Sequence, residues 1–224
     1  AVSGAVQREF PHDAALPTYA AISPDGRLVA LVDATPQVLL CEASTGARVG
    51  SLPIVGQTKM AEPGSLLSAS RIQFDHQGRR LLIVTGDGEQ RYDRAEVWDV
   101  AGQRRLFGPA KGASGFLGGV ALNSDGSRLV LVNEHDWDAG KQGDIELWDV
   151  ETNRLLRTLT THISGNGAMF LPEINAIAAS SWDGFAQLWN ADTGARLTPP
   201  LTHRDYVLSM ALSPDGTLFA TAGD

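Results

Sequence analysis

Only one cysteine, Cys41, occurs in the 224 residues, so no internal disulfide can form. That fits a reducing compartment, and the expected location is the cytoplasm. No apolar run approaches the roughly 20 residues that a membrane-spanning helix needs, so no membrane partner is expected. The opening residues, AVSGAVQREF, have neither the charged start nor the apolar core of a secretory signal. Positive charge is also in short supply. Eighteen Lys and Arg face 26 Asp and Glu, for a net charge of −8. Nucleic-acid binding needs a broad basic face, and this composition speaks against one.

What the chain does have is a repeat. Four turns align: Ser23-Pro24-Asp25-Gly26, Asp75-His76-Gln77-Gly78, Ser124-Asp125-Gly126 and Ser213-Pro214-Asp215-Gly216. Leu171-Pro172-Glu173-Ile174 is a degenerate fifth. A short apolar strand precedes each turn, and a second strand follows it: Leu28 to Val32, Leu81 to Thr85, Leu129 to Asn133, Ala176 to Ser181 and Leu218 to Ala222. Short β-rich runs punctuated by Pro, Asp and Gly are the chemistry of strands joined by tight turns. A third strand carries an aromatic-polar pair: Trp98-Asp99, Trp148-Asp149 and Trp189-Asn190. Cys41 takes the Trp position in the first unit. Thr45-Gly46-Ala47-Arg48 supports that register, since it parallels Thr193-Gly194-Ala195-Arg196.

These paired motifs resemble the WD40 family, particularly the WD40 arrays of bacteria. The resemblance implies an all-β fold, a β-propeller of four-stranded antiparallel blades labelled a to d from the inside outward. Expected blades span 18–50, 70–108, 117–160 and 167–201. Residues 206–224 supply strands a and b of a fifth, and residues 1–10 the outer strand of a preceding blade. Core positions are expected at Ile22, Phe74, Ile83, Leu122, Leu131, Met169, Ile177, Leu212 and Phe219. The family also implies a structural hydrogen-bond network of His, Asp, a hydroxyl and Trp. His162, Asp183 and Trp189 match it in blade 4, where Ala179 takes the hydroxyl position. His203 and Thr221 match it in blade 5. Both ends fall inside blades, so the chain is expected to be a segment of a longer array. Further blades would come from the parent chain or a partner. A five-bladed ring lacking one strand would instead leave backbone groups unpaired, at about 1–3 kcal/mol each if buried.

Loop spacing separates scaffold from elaboration. From the a–b turn to the Trp position there are 15 residues in blades 1 and 4, but 20 in blade 2 and 22 in blade 3. The d–a connection after blade 1 is about 10 residues longer than the later ones. In an up-and-down meander, b–c and d–a loops share one face. All three insertions therefore fall on one face, over blades 1 to 3. Loops that grow on a rigid scaffold are where binding usually resides. The expected patch for a protein or peptide partner holds Arg91, Tyr92, Asp93 and Arg94 from blade 2. It also holds His135, Asp136 and Trp137 from blade 3, and Lys59 and Met60 from the long d–a loop. Tyr, Trp and Arg are typical interface anchors.

Catalytic chemistry finds little support. Glu134, His135, Asp136 and Asp138 are metal-ligand types, but loop neighbours seldom converge without a defined turn, and the EF-hand spacing is absent. No metal and no cofactor is expected. There is no G-x-S-x-G elbow, and no helix follows Thr85-Gly86-Asp87-Gly88 to make a phosphate cradle. Cys41 is expected to be buried and inert. The competing class is a propeller enzyme, such as a lactonase or hydrolase, with its site at the central channel. The inner strand starts, such as Ser70-Arg71, Gly118-Gly119 and Gly167-Ala168, offer such an enzyme little acid or His. The reading favoured by the sequence is a non-catalytic scaffold or sensor module within a larger protein.

Overall fold

A computed structural model describes residues 9–10, 19–32, 35–54, 69–86, 92–111, 117–134, 143–213, 215 and 217–223. The described residues form four antiparallel blades and a hairpin, with no α-helix among them. Blade 1 is β1 (Tyr19–Ile22), β2 (Leu28–Val32), β3 (Gln37–Glu42) and β4 (Arg48–Pro53). Blade 2 is β5 (Ala69–Phe74), β6 (Arg80–Gly86), β7 (Tyr92–Asp99) and β8 (Arg104–Lys111). Blade 3 is β9 (Leu117–Leu122), β10 (Arg128–Asn133), β11 (Gly143–Asp149) and β12 (Arg154–Ile163). Blade 4 is β13 (Gly165–Leu171), β14 (Ala176–Ser181), β15 (Phe185–Asn190) and β16 (Leu201–Thr202). The hairpin is β17 (Val207–Leu212) and β18 (Phe219–Gly223).

The second strand of each blade explains the stacking. Leu28–Val32, Arg80–Gly86, Arg128–Asn133 and Ala176–Ser181 are nearly continuous apolar runs and not alternating ones. Successive side chains point to opposite faces, so such a strand has to be covered on both sides. Blades packed face to face provide that cover. One core joins Val32, Val38 and Leu40 of blade 1 to Phe74, Leu81 and Trp98 of blade 2. The next joins Leu82, Val97 and Phe107 to Val120, Leu129 and Leu131. A third joins Val130, Ile145 and Leu147 to Ile177, Ala179 and Trp189. Each Trp reaches back toward the preceding blade, and Trp148 meets Phe107 edge-on with ring centroids 5.6 Å apart. Cys41 faces the same way on blade 1, fully buried, with Phe10 packed against its cluster. Burial pushes its thiol pKa up, against a smaller opposing pull from Arg48.

Two expectations change. Ile22 is 66% exposed, and Met169, Leu212 and Phe219 are only half-buried. Met169, Leu212 and Phe219 line the junction between blade 4 and the hairpin, where cover is partial. Second, the extra residues of blade 2 do not all enter a loop. They lengthen β6 and β7, so Tyr92, Asp93 and Arg94 are strand residues. Arg94 pairs in register with Thr85 and Lys111, and Tyr92 bridges to Leu117 of blade 3. Blades 2 and 3 thereby share one hydrogen-bonded sheet.

The inner strands of blades 3 and 4 approach backbone to backbone. A Cβ on Gly118 would collide with the carbonyl of Gly165, and one on Gly119 would lie 2.6 Å from the carbonyl carbon of Gly167. Neither neighbour is a side chain that could rotate away. The a–b turns are closed by short polar side chains. Asp215 accepts hydrogen bonds from Ser213 Oγ, Thr217 N and Thr217 Oγ1, which hold its carboxyl pKa down at about 2.

Gly118→Ala and Gly119→Ala are each expected to cost about 3 kcal/mol, lowering Tm by roughly 6–12 °C in calorimetry. Asp215 titrates lower folded than unfolded, so its contribution is present above pH ~4 and lost as pH falls toward 2. The stability gap between wild type and Asp215→Asn should therefore be full at pH 7 and close by pH 2, as read by denaturant melts.

Candidate functional site

The b–c connection of blade 4 and the d–a connection leading into the hairpin are fully described, and they form one fixed surface. Strand β14 ends in Ser181, and the chain reverses over Trp182, Asp183 and Gly184 into β15. Asp183 Oδ2 accepts the Ser164 N–H at 2.7 Å and lies 2.9 Å from Ser181 Oγ. Ser181 Oγ accepts the Asp183 N–H at 2.9 Å and sits 2.9 Å from the Ser164 carbonyl. That same carbonyl accepts the Trp182 N–H at 2.8 Å. Gly184 takes φ +79°, and its carbonyl accepts the N–H of His203 from the next connection at 2.8 Å. A Cβ at Gly184 would lie 2.8 Å from the carbonyl oxygen of Asp205, so the two loops touch through a glycine.

His203 Nε2 lies 2.8 Å from Thr221 Oγ1, which ties the d–a connection to β18. These bonds fix where two aromatic rings stand. Trp182 and Tyr206 meet edge to face, with centroids 5.3 Å apart and planes at 77°. Tyr206 is 46% exposed and is flanked by exposed Arg204 and Asp205. A rigid aromatic pair with charges beside it has the composition of an interface anchor. The sequence reading passed over this pair, because blade 4 has no loop insertion to draw attention to it. The signal was present in the short b–c turn Ser181-Trp182-Asp183-Gly184 and in Tyr206 just before β17.

Of the residues expected in the patch over blades 1 to 3, Lys59, Met60, Arg91, His135, Asp136 and Trp137 lie outside the described residues. Tyr92, Asp93 and Arg94 stand at the b–c end of β7, with Arg94 half-buried.

The repeat residues divide by blade. Trp98 Nε1 donates to Glu96 Oε2 at 3.0 Å, and Trp148 Nε1 to Glu146 Oε2 at 3.1 Å. Each Glu is two residues back on the same strand face. In blade 4 that position is Gln187, whose amide donates instead to the Thr198 carbonyl. Trp189 Nε1 is buried with no hydrogen-bond partner among the described residues. Ala179, in the same buried cluster, has no hydroxyl to offer it. Asp149 closes its c–d turn by accepting Thr152 N and Oγ1, both at 2.7 Å, which lowers its pKa. Asn190 does the same for Thr193 at 2.8 and 3.0 Å. Asp99 ends β7, paired with Arg80 and Arg104. His162 sits in β12, where the pairing with β11 is irregular.

Two cavities among the described residues bear on the inner wall. One of about 410 Å³ opens by the a–b turns and includes Asp75 and His76. Both are turn residues. Asp75 Oδ1 accepts Arg79 N at 2.8 Å and Arg80 N at 3.0 Å, and His76 N donates to the Ser124 carbonyl. The other, about 310 Å³, opens at the b–c/d–a end beside Arg71. Among the described residues no three His, Cys, Asp or Glu side chains gather as a metal site would require.

Comparison with known proteins agrees with this architecture. The family described as "WD domain, G-beta repeat" matches residues 197–224. WD repeat-containing protein 55 of Bos taurus is 31% identical over 104 residues, which are 46% of this chain and 25% of that protein. Periodic tryptophan protein 2 homolog of Mus musculus is 33% identical over 106 residues, 46% of this chain and 11% of the relative. Coronin-7 of Mus musculus is 34% identical over 92 residues, 37% and 10%. The matched part thus spans a quarter or less of each relative. Among solved structures, the computationally designed Ika8 protein superposes with a TM-score of 0.65 at 20% identity, covering 90% of this chain and 54% of that one. At that identity the likeness concerns the fold.

Ala179→Ser is expected to give the Trp189 indole an acceptor and to stabilise the chain by about 1 kcal/mol. Calorimetry would register this as a Tm some 2–4 °C higher. An unchanged or lower Tm would show that the hydroxyl does not reach the indole.

Proposed function

This chain is built of WD40 repeats, and from that premise we propose that it is a non-catalytic scaffold module that binds a protein or peptide partner within a larger protein or complex. The observation that carries the reading is the Trp182–Tyr206 pair. Hydrogen bonds around Asp183 hold the first loop, the His203 N–H to Gly184 carbonyl bond joins it to the second, and the His203–Thr221 contact anchors the second; what the two loops present is an aromatic pair. A preordered aromatic anchor loses little side-chain entropy on binding, and most of its buried area then counts toward affinity.

The contact face continues over blades 1 to 3. There the sequence spacing assigns Lys59, Met60, Arg91, Tyr92, Asp93, Arg94, His135, Asp136 and Trp137 to the proposed patch. The partner lies across this face, and further blades come from the parent chain or a partner. We place this activity in the cytoplasm, in keeping with a single buried thiol.

The test is capture of partners by the full-length parent protein, followed by affinity measurement on what is captured. Trp182→Ala with Tyr206→Ala should weaken binding by roughly 30-fold or more, as loss of an anchor worth about 2 kcal/mol or more implies. Tyr92→Ala with Trp137→Ala tests the blade 1 to 3 side in the same way. If both double variants keep full affinity with unchanged melting, the face is not the binding surface.

A further inference from the structure

The 310 Å³ cavity has a composition at odds with the rest of the chain. It is lined by the first strands of blades 2 to 4 and by β17, and it opens at the same end as the aromatic pair. Its one charged lining residue among the described residues is Arg71. The protein carries an excess of eight negative charges, yet this recess holds a cation and no acid. Arg71 Nη2 donates to Gln73 Oε1 at 3.0 Å, and Nη1 to the Val120 carbonyl on the adjacent blade at 3.3 Å. Both acceptors are neutral. They orient the guanidinium without neutralising it, and no described carboxylate lies within ion-pair distance of it. A guanidinium has five N–H donors in a planar fork, so two bonds leave three for a ligand.

The remaining lining says which anion. Gly118, Gly119 and Gly167 bring backbone to the wall, the first two where the inner strands of blades 3 and 4 approach closely. Met169, Met210 and half-exposed Leu208 make an apolar side suited to methylene groups. Ser180 and Ser209 supply hydroxyls. One fixed positive charge balances one negative charge. A phosphate dianion would need a second cation, and the described lining has none.

We propose that this recess binds the carboxylate of a peptide, from a glutamate side chain or a free C-terminus, in a forked contact with Arg71. This deepens the reading of the chain as a peptide-binding scaffold and rests on it for the source of the carboxylate. The partner's acid enters the inner wall while its neighbouring residues lie against Trp182 and Tyr206.

The test uses small probes on the full chain, read by NMR of the arginine Nε–H resonances. N-acetylglutamate α-amide and acetyl-Gly-Leu as free acid report the two sources. N-acetylglutamine α-amide, acetyl-Gly-Leu-amide and inorganic phosphate are the comparisons. We expect saturable binding of at least one carboxylate probe in the low-millimolar range, weakening as salt rises. It should fall at least tenfold in Arg71→Gln and less in Arg71→Lys, which keeps the charge and loses the fork. Melting curves establish that both variants are folded. Should Arg71→Gln unfold, the comparison of glutamate with glutamine probe on the wild type decides. The proposal is overturned by no saturable shift up to about 50 mM, by equal binding of acid and amide probes, by equal binding in a folded Arg71→Gln, or by tighter binding of phosphate. Because the probes are too small to span to Trp182 and Tyr206, their failure would leave the partner-capture result standing. Failure of capture would likewise leave theirs.

Discussion

The second strand of every blade is apolar on both faces, and the rest of the fold follows from the need to cover it. Leu82 and Leu81 point in opposite directions, and both are fully buried. Burying each such side chain contributes about 1.5–3 kcal/mol, and a lone four-stranded sheet covers neither face of its strands. A blade on either side covers both. The interblade cores, the backward-reaching tryptophans and the close glycine contact between blades 3 and 4 all serve this stacking. Function is then confined to what the stack leaves at its rim and along its inner wall.

At the rim, polar bonds decide which side chains are held still. Trp98 and Trp148 use a glutamate on their own strand as acceptor, so each indole is satisfied within one blade. Blade 4 does this differently. Its Gln187 is turned outward to Thr198, and its polar network has moved to the loop around Asp183. The cost is an indole N–H without a partner. What results is a firmly held turn presenting Trp182. Longer-range ties, such as Arg128 to Asp192 at 2.7 Å and Arg80 to Glu151, link one blade's second strand to the next blade's outer turn.

Much of the architecture was legible in the sequence because it is written in local chemistry. Turns such as Ser23-Pro24-Asp25-Gly26 and pairs such as Trp148-Asp149 recur at blade spacing, and strand identity follows from them. His203 and Thr221 could be paired in advance because their positions in the repeat are defined. What escaped depended on contacts distant in sequence. Ile22 looks like a core residue locally, but its burial depends on a neighbouring blade. Counting residues between Gly78 and Trp98 detects an insertion, but whether it forms a loop or extends β6 and β7 depends on pairing. Arg71 was noted only as an unpromising start for an enzyme's inner strand. That no described acid lies beside it is a property of four strands together. Trp182 and Tyr206 are 24 positions apart and meet only once the stack has formed.

The bridge between Tyr92 and Leu117 bears on how such a stack comes apart. In a linear array each unit is stabilised by itself and by its neighbours, and melting begins where coupling is weakest. Blades 2 and 3 are joined by a shared sheet as well as by a core. The hairpin has little beyond Val207 fully buried among its described residues and meets blade 4 mainly through half-buried side chains. The junction between blade 4 and the hairpin, which supports Tyr206 and one wall of the Arg71 recess, is therefore more weakly coupled than the joint between blades 2 and 3. A ligand spanning the recess and the aromatic pair would bridge the weaker junction to the stronger one, and its binding would be felt as cooperativity between them.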